Sequence, residues 1–331
     1  MIKISIIIPV YNGAKTITRT LDSIVNQNVG DDIEVIVVND CSTDNTQQVL
    51  EEYQANVYPN LVIVNLPENH KIGGARNAGI AVSNGEYIQC LDGDDLLIEG
   101  ALKKLLQVLT ANPNIDLVLF DYLTVEEGTF KLLDDIKFAK NHSRVIGGEE
   151  YITTQGVPWT AWLALYKKSF LYGNNIHYAD HVLFEDSDYV LKSIMLAKSI
   201  KYEPIAVLKY MISGNSTSNI GNNKTKIEER LMSEDRIFNV ITLYKDTHPH
   251  GVEVIRGHYK FKYHAILLRN VWRLDYKSIL ELLKTHPYRE ANCDDRLINF
   301  VMEHPHAYAG MSVILGPILK LLLRIRNMIM K

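Results

Sequence analysis

The chain has 331 residues, of which 47% are apolar and 22% are charged; this balance is typical of globular proteins and excludes a disordered or fibrous chain. The formal net charge of −4 supplies no general basic character, so we do not expect nucleic acid as a partner. The three cysteines, Cys41, Cys90 and Cys293, lie far apart, which argues against a disulfide framework or a zinc ribbon and favours a reducing compartment.

The amino-terminal third alternates apolar strands with helical patterns. Residues 1–10 are too short for a signal peptide, and we interpret them as the start of the first strand. The predicted strands are Ile4–Val10, Ile33–Val38, Leu61–Asn65 and Glu86–Leu91, and the predicted helices cover 15–27, 45–53 and 74–82. This alternation predicts an α/β fold with a mainly parallel central sheet flanked by helices. The carboxyl ends of its strands then share one edge, where open α/β folds bind ligands.

The pattern changes near residue 213, where strand signals fade. A segment rich in Gly, Ser, Asn and Thr over 213–223 predicts a loop and a domain boundary. We therefore predict a catalytic domain over 1–212 and a helical carboxyl-terminal extension over 213–331. The helices predicted in the extension cover 224–245, 252–273, 276–285 and 312–330.

Acidic residues follow the second and fourth predicted strands at the ligand-binding edge. Asp92-Gly93-Asp94-Asp95 directly follows the fourth strand, and carboxylates packed this closely suit Mn²⁺ or Mg²⁺. The alternative is a solvated turn in which Asp94 or Asp95 caps the next helix. After the second strand, Asp40 could accept the imide N–H of a uracil ring, whereas Asp44 is also well placed to cap a helix.

A third acidic group lies at Glu185-Asp186-Ser187-Asp188, before an apolar helix. Displacement of a nucleotide from a sugar needs a carboxylate that takes the proton of the acceptor hydroxyl, so this group predicts a general base. The alternative is an acidic first helical turn that complements the helix dipole. Gly73-Gly74 predicts a flexible turn before a helix, with Arg76 in the first turn, where it could pair with acidic loops or a pyrophosphate.

In this order and spacing, the motifs closely resemble those of glycosyltransferase family 2, whose members have the GT-A fold. The matching segments are SIIIPVYN at 5–12, VVNDCSTD at 37–44, GARNAG at 74–79, LDGDD at 91–95 and FED at 184–186. The resemblance covers about residues 1–210. It implies an inverting, metal-dependent glycosyltransferase that moves a sugar from a nucleotide-sugar, with UDP expected, to a glycan or lipid-linked oligosaccharide acceptor in surface polysaccharide synthesis.

The resemblance also implies roles for individual residues. Pro9, Tyr11, Asp40 and Asp44 would lie at the nucleotide, with Asp40 reading uracil, and Arg76 would stand near the base or diphosphate. Asp92 would contact the ribose or a metal-bound water, and Asp94 would ligate Mn²⁺ or Mg²⁺ at the leaving diphosphate. Asp186 would be the catalytic base, with Glu185 as the second candidate for that role.

The chain departs from the family pattern after the helix that carries the candidate catalytic base, Asp186. Many relatives carry an arginine in a Tyr-X-Arg stretch near Asn-Ser-X-Ser, but here Ile212 holds the arginine position, followed by Asn215-Ser216-Thr217-Ser218. Lys209 or Lys224 could supply the missing charge.

Aromatic residues and histidines lie between the motifs. Trp159 and Trp162 are predicted to stack on a sugar, Trp159 in preference, with a place in the core as the alternative. His70, His177 and His181 have no ligand-like spacing, so we predict structural roles for them.

The carboxyl-terminal tail, 311–331, combines four cations with a broad apolar face and no acidic residue. This composition predicts a helix that lies on a membrane surface, with docking on the domain or in a homodimer as the alternative. The sequence contains no run of about 18 uninterrupted apolar residues, so we do not predict a membrane-spanning helix. We therefore expect a cytoplasmic enzyme, peripheral on the inner face of the membrane through this tail.

Other functions remain open at this stage. A polyprenyl-phosphate sugar transferase would share the core but usually differs in its carboxyl-terminal region. A nucleotidyltransferase should carry a glycine-rich basic loop near Val10–Lys15, which is not present. A catalytically degenerate sugar-binding or scaffold module predicts loss of acids, yet Asp40, Asp92, Asp94 and Asp186 are retained.

Overall fold

The computed structural model describes residues 2–137, 144–212, 223–271, 274–286 and 296–312. These residues fall into two compact units. The first unit holds the described residues up to 212 together with His248–Gly251, and the second holds the other described residues from 223 onward.

The first unit is built from strands and short helices. Its strands are β1 Ile4–Val10, β2 Ile33–Asn39, β3 Val62–Asn65, β4 Tyr87–Cys90, β5 Leu96–Leu97, β6 Leu117–Glu126, β7 Leu132–Ile136, β8 Ala164–Lys167 and β9 Ile200–Ile212. Its helices are α1 Ile17–Val25, α2 Thr46–Asn56, α3 Lys71–Val82, α4 Ala101–Ala111, α5 Gly148–Gln155, α6 Lys168–Gly173 and α7 Asp186–Leu196.

Within the described residues, the nine strands form one sheet in the order β3-β2-β1-β4-β8-β6-β9-β5, with β7 beside β6. The first four strands are parallel, as the sequence predicts. Beyond β4 the sheet is mixed, because β8 runs antiparallel to β4 and β6, whereas β9 runs parallel to β6. The expectation of a mainly parallel sheet therefore holds for the amino-terminal half only.

The core lies on both faces of the parallel half. Every residue of β1 and β2 is buried, which explains why both sequences are almost continuously apolar. On one face α1 packs its buried side chains Ile17, Leu21 and Ile24 into the same cluster as β1. Burial of each such side chain contributes about 1.5–3 kcal/mol to folding. The result is a rigid platform that fixes the loops at the carboxyl ends of β1, β2 and β4.

The second unit is helical in its described residues. Its helices are α8 Lys224–Tyr244, α9 Pro249–Arg269 from Val252 onward, α10 Tyr276–Thr285 and α11 Arg296–Glu303. The side chains of Asn223 and Asp275 accept backbone N–H groups of Lys226 and Ser278, and so cap α8 and α10. The helices predicted over 224–245, 252–273 and 276–285 are confirmed, with ends shifted by up to four residues, and α11 is additional.

The predicted helix at 312–330 lies outside the described residues, apart from residue 312. Among the helices that the structure describes, none has the length and apolar character needed to cross a membrane.

Candidate active site

Asn12 joins the loops that follow β1 and β2. Its Oδ1 accepts the N–H groups of Thr43 at 2.7 Å and Asp44 at 3.3 Å, and its own N–H donates to Ser42 Oγ at 2.9 Å. Asn12 has φ 53°, in the left-handed region that asparagine tolerates better than most residues. The two loops therefore form one rim, on which the side chain of Tyr11 is 51% exposed.

The other predicted nucleotide-binding residues of this rim are Pro9 and Asp44. Pro9 is buried inside β1. Asp44 accepts the N–H of Thr46 at 3.0 Å at the start of α2 and that of Ala14 at 3.4 Å. Burial alone would raise the pKa of Asp44, but these hydrogen bonds outweigh it and lower the pKa. Asp44 therefore hydrogen-bonds to the first residue of α2 from the position before the N-cap residue Asn45, which is close to the capping alternative for this residue.

Asp40 lies beneath the loop that follows β3. Its Oδ1 accepts the N–H of His70 at 2.7 Å, and its backbone carbonyl accepts the side-chain amide of Asn69 at 3.1 Å. Burial raises the pKa of Asp40, against the lowering effect of the hydrogen bond from His70. A carboxylate has about four lone-pair sites, so Asp40 keeps the capacity to accept the imide N–H of a base.

Arg76, on α3, gathers three of the predicted site carboxylates. Its side chain is 1% exposed; Nη2 lies 2.7 Å from Asp92, and Nη1 lies 2.6 Å from Glu185 and 2.8 Å from Asp186. Burial alone would lower the pKa of Arg76, but Asp186 and Asp92 outweigh it and hold the pKa well above its usual value. The guanidinium carbon also lies 5.2 Å from the ring centre of Tyr178, within cation–π range.

Two glycines allow α3 to lie close to Ala179 and Asp180. A Cβ on Gly73 would lie 2.4 Å from the carbonyl oxygen of Ala179, and one on Gly74 would lie 2.0 Å from Asp180 Oδ1. These glycines are not a flexible turn, as the sequence suggests, because α3 already begins at Lys71. Arg76 consequently lies in the second helical turn rather than the first.

The two candidate bases differ in exposure. Phe184 has φ 56°, a sharp bend before α7. The side chain of Glu185 is 6% exposed and that of Asp186 is 21% exposed. Burial and the charge of Asp186 raise the pKa of Glu185 well above its usual value, against the lowering effect of Arg76. Asp186 is therefore the more accessible carboxylate, and its Oδ2 accepts the N–H of Ala161 at 3.3 Å.

The three aspartates after β4 have separate environments. Asp95 is fully buried and accepts the N–H of Met211 at 2.8 Å, so it fastens the loop to β9. Asp94 is on the exposed side of the loop. Protein atoms around its carboxylate displace part of the solvent and, with the charges of Asp92 and Glu127, raise its pKa to about 6.

Asp92 and Asp94 fit a hard divalent cation. Their carboxylate oxygens are the ligands that Mg²⁺ and Mn²⁺ prefer. Asp92 binds Arg76 through Oδ1, which leaves its other oxygen available. A cation would offset the charges of Asp92 and Glu127, which add to the effect of burial on the pKa of Asp94. Held by Asp92 and Asp94, Mn²⁺ or Mg²⁺ would supply positive charge for substrate phosphates.

Arg19 and Glu127 also belong to this region, and the sequence gives no sign of either. Nη2 of Arg19 lies 2.7 Å from the Glu127 carboxylate and 3.3 Å from the backbone carbonyl of Asp94. Arg19 is one of several polar residues on an amphipathic helix, and its partners are 75 and 108 residues away in sequence. The positively charged guanidinium of Arg19 thus lies beside the Asp92–Asp95 loop.

The two tryptophans have different surroundings. Trp162 is 5% exposed and packs in the core, 5.4 Å from the ring of Tyr210 and 4.8 Å from that of Tyr122. The predicted sugar contact is therefore not supported for Trp162, and the core alternative describes it. Trp159 is partly exposed, and its sugar contact stays a prediction.

The family arginine position is occupied by Ile212, 42% exposed at the end of β9. Of the proposed substitutes, Lys224 pairs with Glu281 at 2.7 Å, and Lys209 is partly exposed in β9. The Asn215–Ser218 segment lies outside the described residues.

The family model described as Glycosyl transferase family 2 matches residues 5–172, which is about half of the chain and includes the rim, Arg76 and the Asp92–Asp95 loop. The chain belongs to glycosyltransferase family 2. The predicted family and enzyme class are thereby confirmed.

Two curated relatives illustrate where the family 2 similarity lies. The minor teichoic acid biosynthesis protein GgaB of Bacillus subtilis is 37% identical over 127 residues, which is 38% of this chain and 14% of GgaB. The poly(ribitol-phosphate) beta-glucosyltransferase of Bacillus spizizenii is 31% identical over 202 residues, 60% of this chain and 30% of that protein. The matched region thus spans less than a third of the length of either relative.

Solved structures of transferases share the fold. TarS residues 1–349 from S. aureus, in complex with UDP-GlcNAc, matches 96% of this chain and 92% of its own, with a TM-score of 0.68 and 20% identity. The mannosyltransferase PcManGT from Pyrobaculum calidifontis, in complex with GDP-Man and Mn²⁺, matches 95% of this chain and 86% of its own, with a TM-score of 0.55 and 18% identity. The predicted GT-A type α/β fold is confirmed.

Proposed function

We propose that this family 2 chain transfers a sugar from a UDP-sugar to a hydroxyl of a cell-surface polysaccharide or its lipid-linked precursor, with inversion at the anomeric carbon. The observation that carries the proposal is the contact of one buried arginine with Asp92 beside the proposed metal ligand and with the Glu185–Asp186 pair. Arg76 therefore links the proposed leaving-group side of the site to the proposed base.

Asp186 is the proposed general base. Arg76 and the N–H of Ala161 orient its carboxylate and leave lone pairs for an acceptor hydroxyl. The carboxylate takes the hydroxyl proton as the acceptor oxygen forms a bond to the anomeric carbon. The bond from that carbon to the diphosphate oxygen breaks, and UDP leaves with the electron pair. Attack opposite the leaving group inverts the configuration, and Glu185, buried against Arg76, holds the arginine in place.

Asp94 and Asp92 are the proposed ligands of Mn²⁺ or Mg²⁺, on the donor chemistry described above. When bound, the cation would neutralise charge on the leaving diphosphate. Arg19, which contacts the carbonyl of Asp94, holds the loop that carries both ligands.

The proposal of a UDP-sugar rests on Asp40 and Tyr11. Asp40 offers a buried acceptor for the imide N–H of uracil, and Tyr11 offers an exposed ring for stacking. The UDP-GlcNAc complex of TarS, a neighbour in fold, is consistent with this donor class. A surface polysaccharide acceptor is suggested by the teichoic acid protein GgaB and the poly(ribitol-phosphate) transferase among the relatives.

Donor binding can be tested by the melting temperature with UDP, GDP, CMP and CDP, each with and without Mn²⁺. Ligand at about 100 times its dissociation constant adds roughly 2.7 kcal/mol to apparent stability. We expect a shift with UDP and Mn²⁺ that Asp94→Ala removes and that the exposed-site control Asp31→Ala keeps. Equal shifts in Asp94→Ala would contradict the metal assignment, and no shift with any nucleotide would contradict the donor proposal.

A further inference from the structure

A group of potential metal ligands lies next to Asp40 and apart from Asp92 and Asp94. Glu68, His70 and His181 each offer one ligand atom, and these atoms all lie within 4.8 Å of one another. His70 Nε2 is 3.8 Å from Glu68 Oε1, and the rings of His70 and His181 have centres 4.5 Å apart. Two imidazoles and a carboxylate are a ligand set that suits zinc.

Asp180 fixes the tautomer that such a site needs. Nδ1 of His70 lies 3.1 and 3.2 Å from the two carboxylate oxygens of Asp180. A carboxylate accepts hydrogen bonds, so Nδ1 carries the hydrogen, and in the neutral ring Nε2 presents its lone pair toward Glu68. Histidine ligands of metals almost always donate their other N–H to such an acceptor.

Backbone contacts bring these side chains together. The N–H of His181 donates to the carbonyl of His70 at 3.1 Å, and the N–H of His70 donates to Asp40. Asp180 reaches His70 across Gly74, where a Cβ would lie 2.0 Å from the Asp180 oxygen. These contacts hold the loop of His70 against the loop of His181 without a metal. The entropic cost of binding a metal ion is therefore lower.

We propose that Glu68, His70 and His181 form a binding site for a borderline transition-metal cation such as Zn²⁺, with Asp180 as the acceptor that orients His70. Three protein ligands leave a fourth tetrahedral position for water. The side chains are 70%, 27% and 54% exposed, so the ion can enter from solvent and exchange. A bound ion would connect the loop that covers Asp40 to the loop that precedes Glu185, and so restrain both sides of the proposed donor site.

The test is a calorimetric titration of the untagged full-length chain with Zn²⁺ at pH 8. Asp94→Ala is the background, so that the carboxylate site does not contribute. The pH is chosen because the hydrogen bond to Asp180 raises the pKa of His70, and protons compete with the metal. His181→Asn removes the imidazole but tolerates the left-handed φ of 57° at this position.

We expect one Zn²⁺ per chain in the Asp94→Ala background. Adding His70→Ala or His181→Asn should weaken binding by at least about 100-fold, and adding Asp180→Asn by about 10-fold. His177→Ala, an exposed histidine outside the cluster, is the matched control and should bind as the background does. Co²⁺ should give the visible spectrum of a tetrahedral site in the background and lose it with His181→Asn.

The proposal is overturned if the background binds no Zn²⁺, if the His70 and His181 variants bind as tightly as the background, or if His177→Ala weakens binding equally. The titration reads metal affinity alone. Its outcome is therefore independent of whether the chain uses a UDP-sugar.

Discussion

At the scale of single residues, the site depends on one buried arginine, Arg76. Arg76 contacts Asp92, Glu185 and Asp186 at 2.6–2.8 Å. Removal of one partner from a buried ionic network leaves uncompensated charge, which costs more than the net contribution of the pairs. The guanidinium therefore both holds the loops together and makes the carboxylate cluster possible.

Arg76→Ala should destabilise the protein by about 3–5 kcal/mol, because the three carboxylates lose their common partner. The loss should be larger at pH 8 than at pH 5, since burial raises the pKa of Glu185 and its protonation relieves repulsion at low pH. Urea unfolding at both pH values measures this effect. Arg144→Ala, which removes an exposed arginine paired with Glu150, is the control and should change stability by less than about 0.5 kcal/mol. An unchanged urea midpoint for Arg76→Ala would contradict the account.

The sequence reveals some of these residues and not others. Asp40, Asp92, Asp94 and Asp186 could be predicted because acids at the ends of apolar segments are unusual and form a family pattern. The sequence suggested that Arg76 pairs with acidic loops, but spacing did not identify Glu185 and Asp186 as its partners, because they are 109 and 110 residues away. The His70–His181 contact was missed for the same reason: only the fold brings the two loops together.

At the scale of elements, burial determines what the sequence shows. The strands β1 and β2 are buried throughout, so their apolar runs identify them directly. By contrast, β9 has an irregular burial pattern and contains Pro204, and its pairing with β6 shifts register twice. Such a strand gives no clear period of two, and its partner lies far away in sequence. The mixed part of the sheet beyond β4 was therefore not predicted.

Glu34 shows how one side chain fastens neighbouring elements. It accepts hydrogen bonds from Ser5 Oγ at 2.5 Å and from the N–H groups of Asn84 at 2.5 Å and Gly85 at 3.0 Å. It thereby ties β1 and β2 to the turn before β4. Burial alone would raise its pKa, but the hydrogen bonds together lower it.

Glu34→Gln should lower stability at pH 7 by about 1–3 kcal/mol, the cost of losing charge-assisted hydrogen bonds. A lowered folded-state pKa means that this contribution is present above the unfolded-state pKa of about 4.3 and is lost as the pH falls through the folded-state value. The difference between wild type and variant should thus shrink below about pH 4, as measured by thermal unfolding from pH 3 to 7. A difference that stays constant with pH would contradict the role of the charge.

At the scale of the whole molecule, the proposed donor-binding and catalytic residues all lie in the first unit. The second unit has its own hydrophobic core, with Ile227, Leu231, Leu267 and Ile279 among its buried members. Three of its four described helices, α8, α9 and α10, were predicted from the sequence with approximate ends, whereas α11 was not. Whether the tail at 313–331 lies on a membrane remains a prediction, because those residues are outside the described part of the chain.

The second unit contains a buried carboxylate, Glu234, whose Oε1 lies 3.6 Å from Arg230 Nε. Glu234 is fully buried, and the charges of Lys262 and Arg230 oppose the effect of burial, which raises its pKa. Burial lowers the pKa of Lys262 to about 8, against the effect of Glu234. Lys262→Met alone leaves Glu234 with fewer compensating charges and should cost up to about 3–5 kcal/mol, and adding Glu234→Gln should recover part of that loss because the buried charge is removed.

Guanidinium unfolding measures these two variants, and UDP affinity is measured alongside. Because the proposed donor site lies in the first unit, the double variant should bind UDP with wild-type affinity. A double variant less stable than the single variant would contradict the unpaired-charge explanation. A loss of UDP affinity in a folded double variant would contradict the assignment of the donor site to the first unit.

The central claim is that Arg76 presents Asp186 as the base of a sugar transfer. The most direct test compares wild type, Asp186→Asn and Glu185→Gln for UDP affinity and for turnover of the preferred UDP-sugar. We predict that Asp186→Asn keeps UDP affinity within about threefold and loses turnover by about 10²–10⁴-fold, with a smaller loss for Glu185→Gln. Wild-type turnover in Asp186→Asn would contradict the claim, and loss of UDP binding together with turnover would assign Asp186 a structural role.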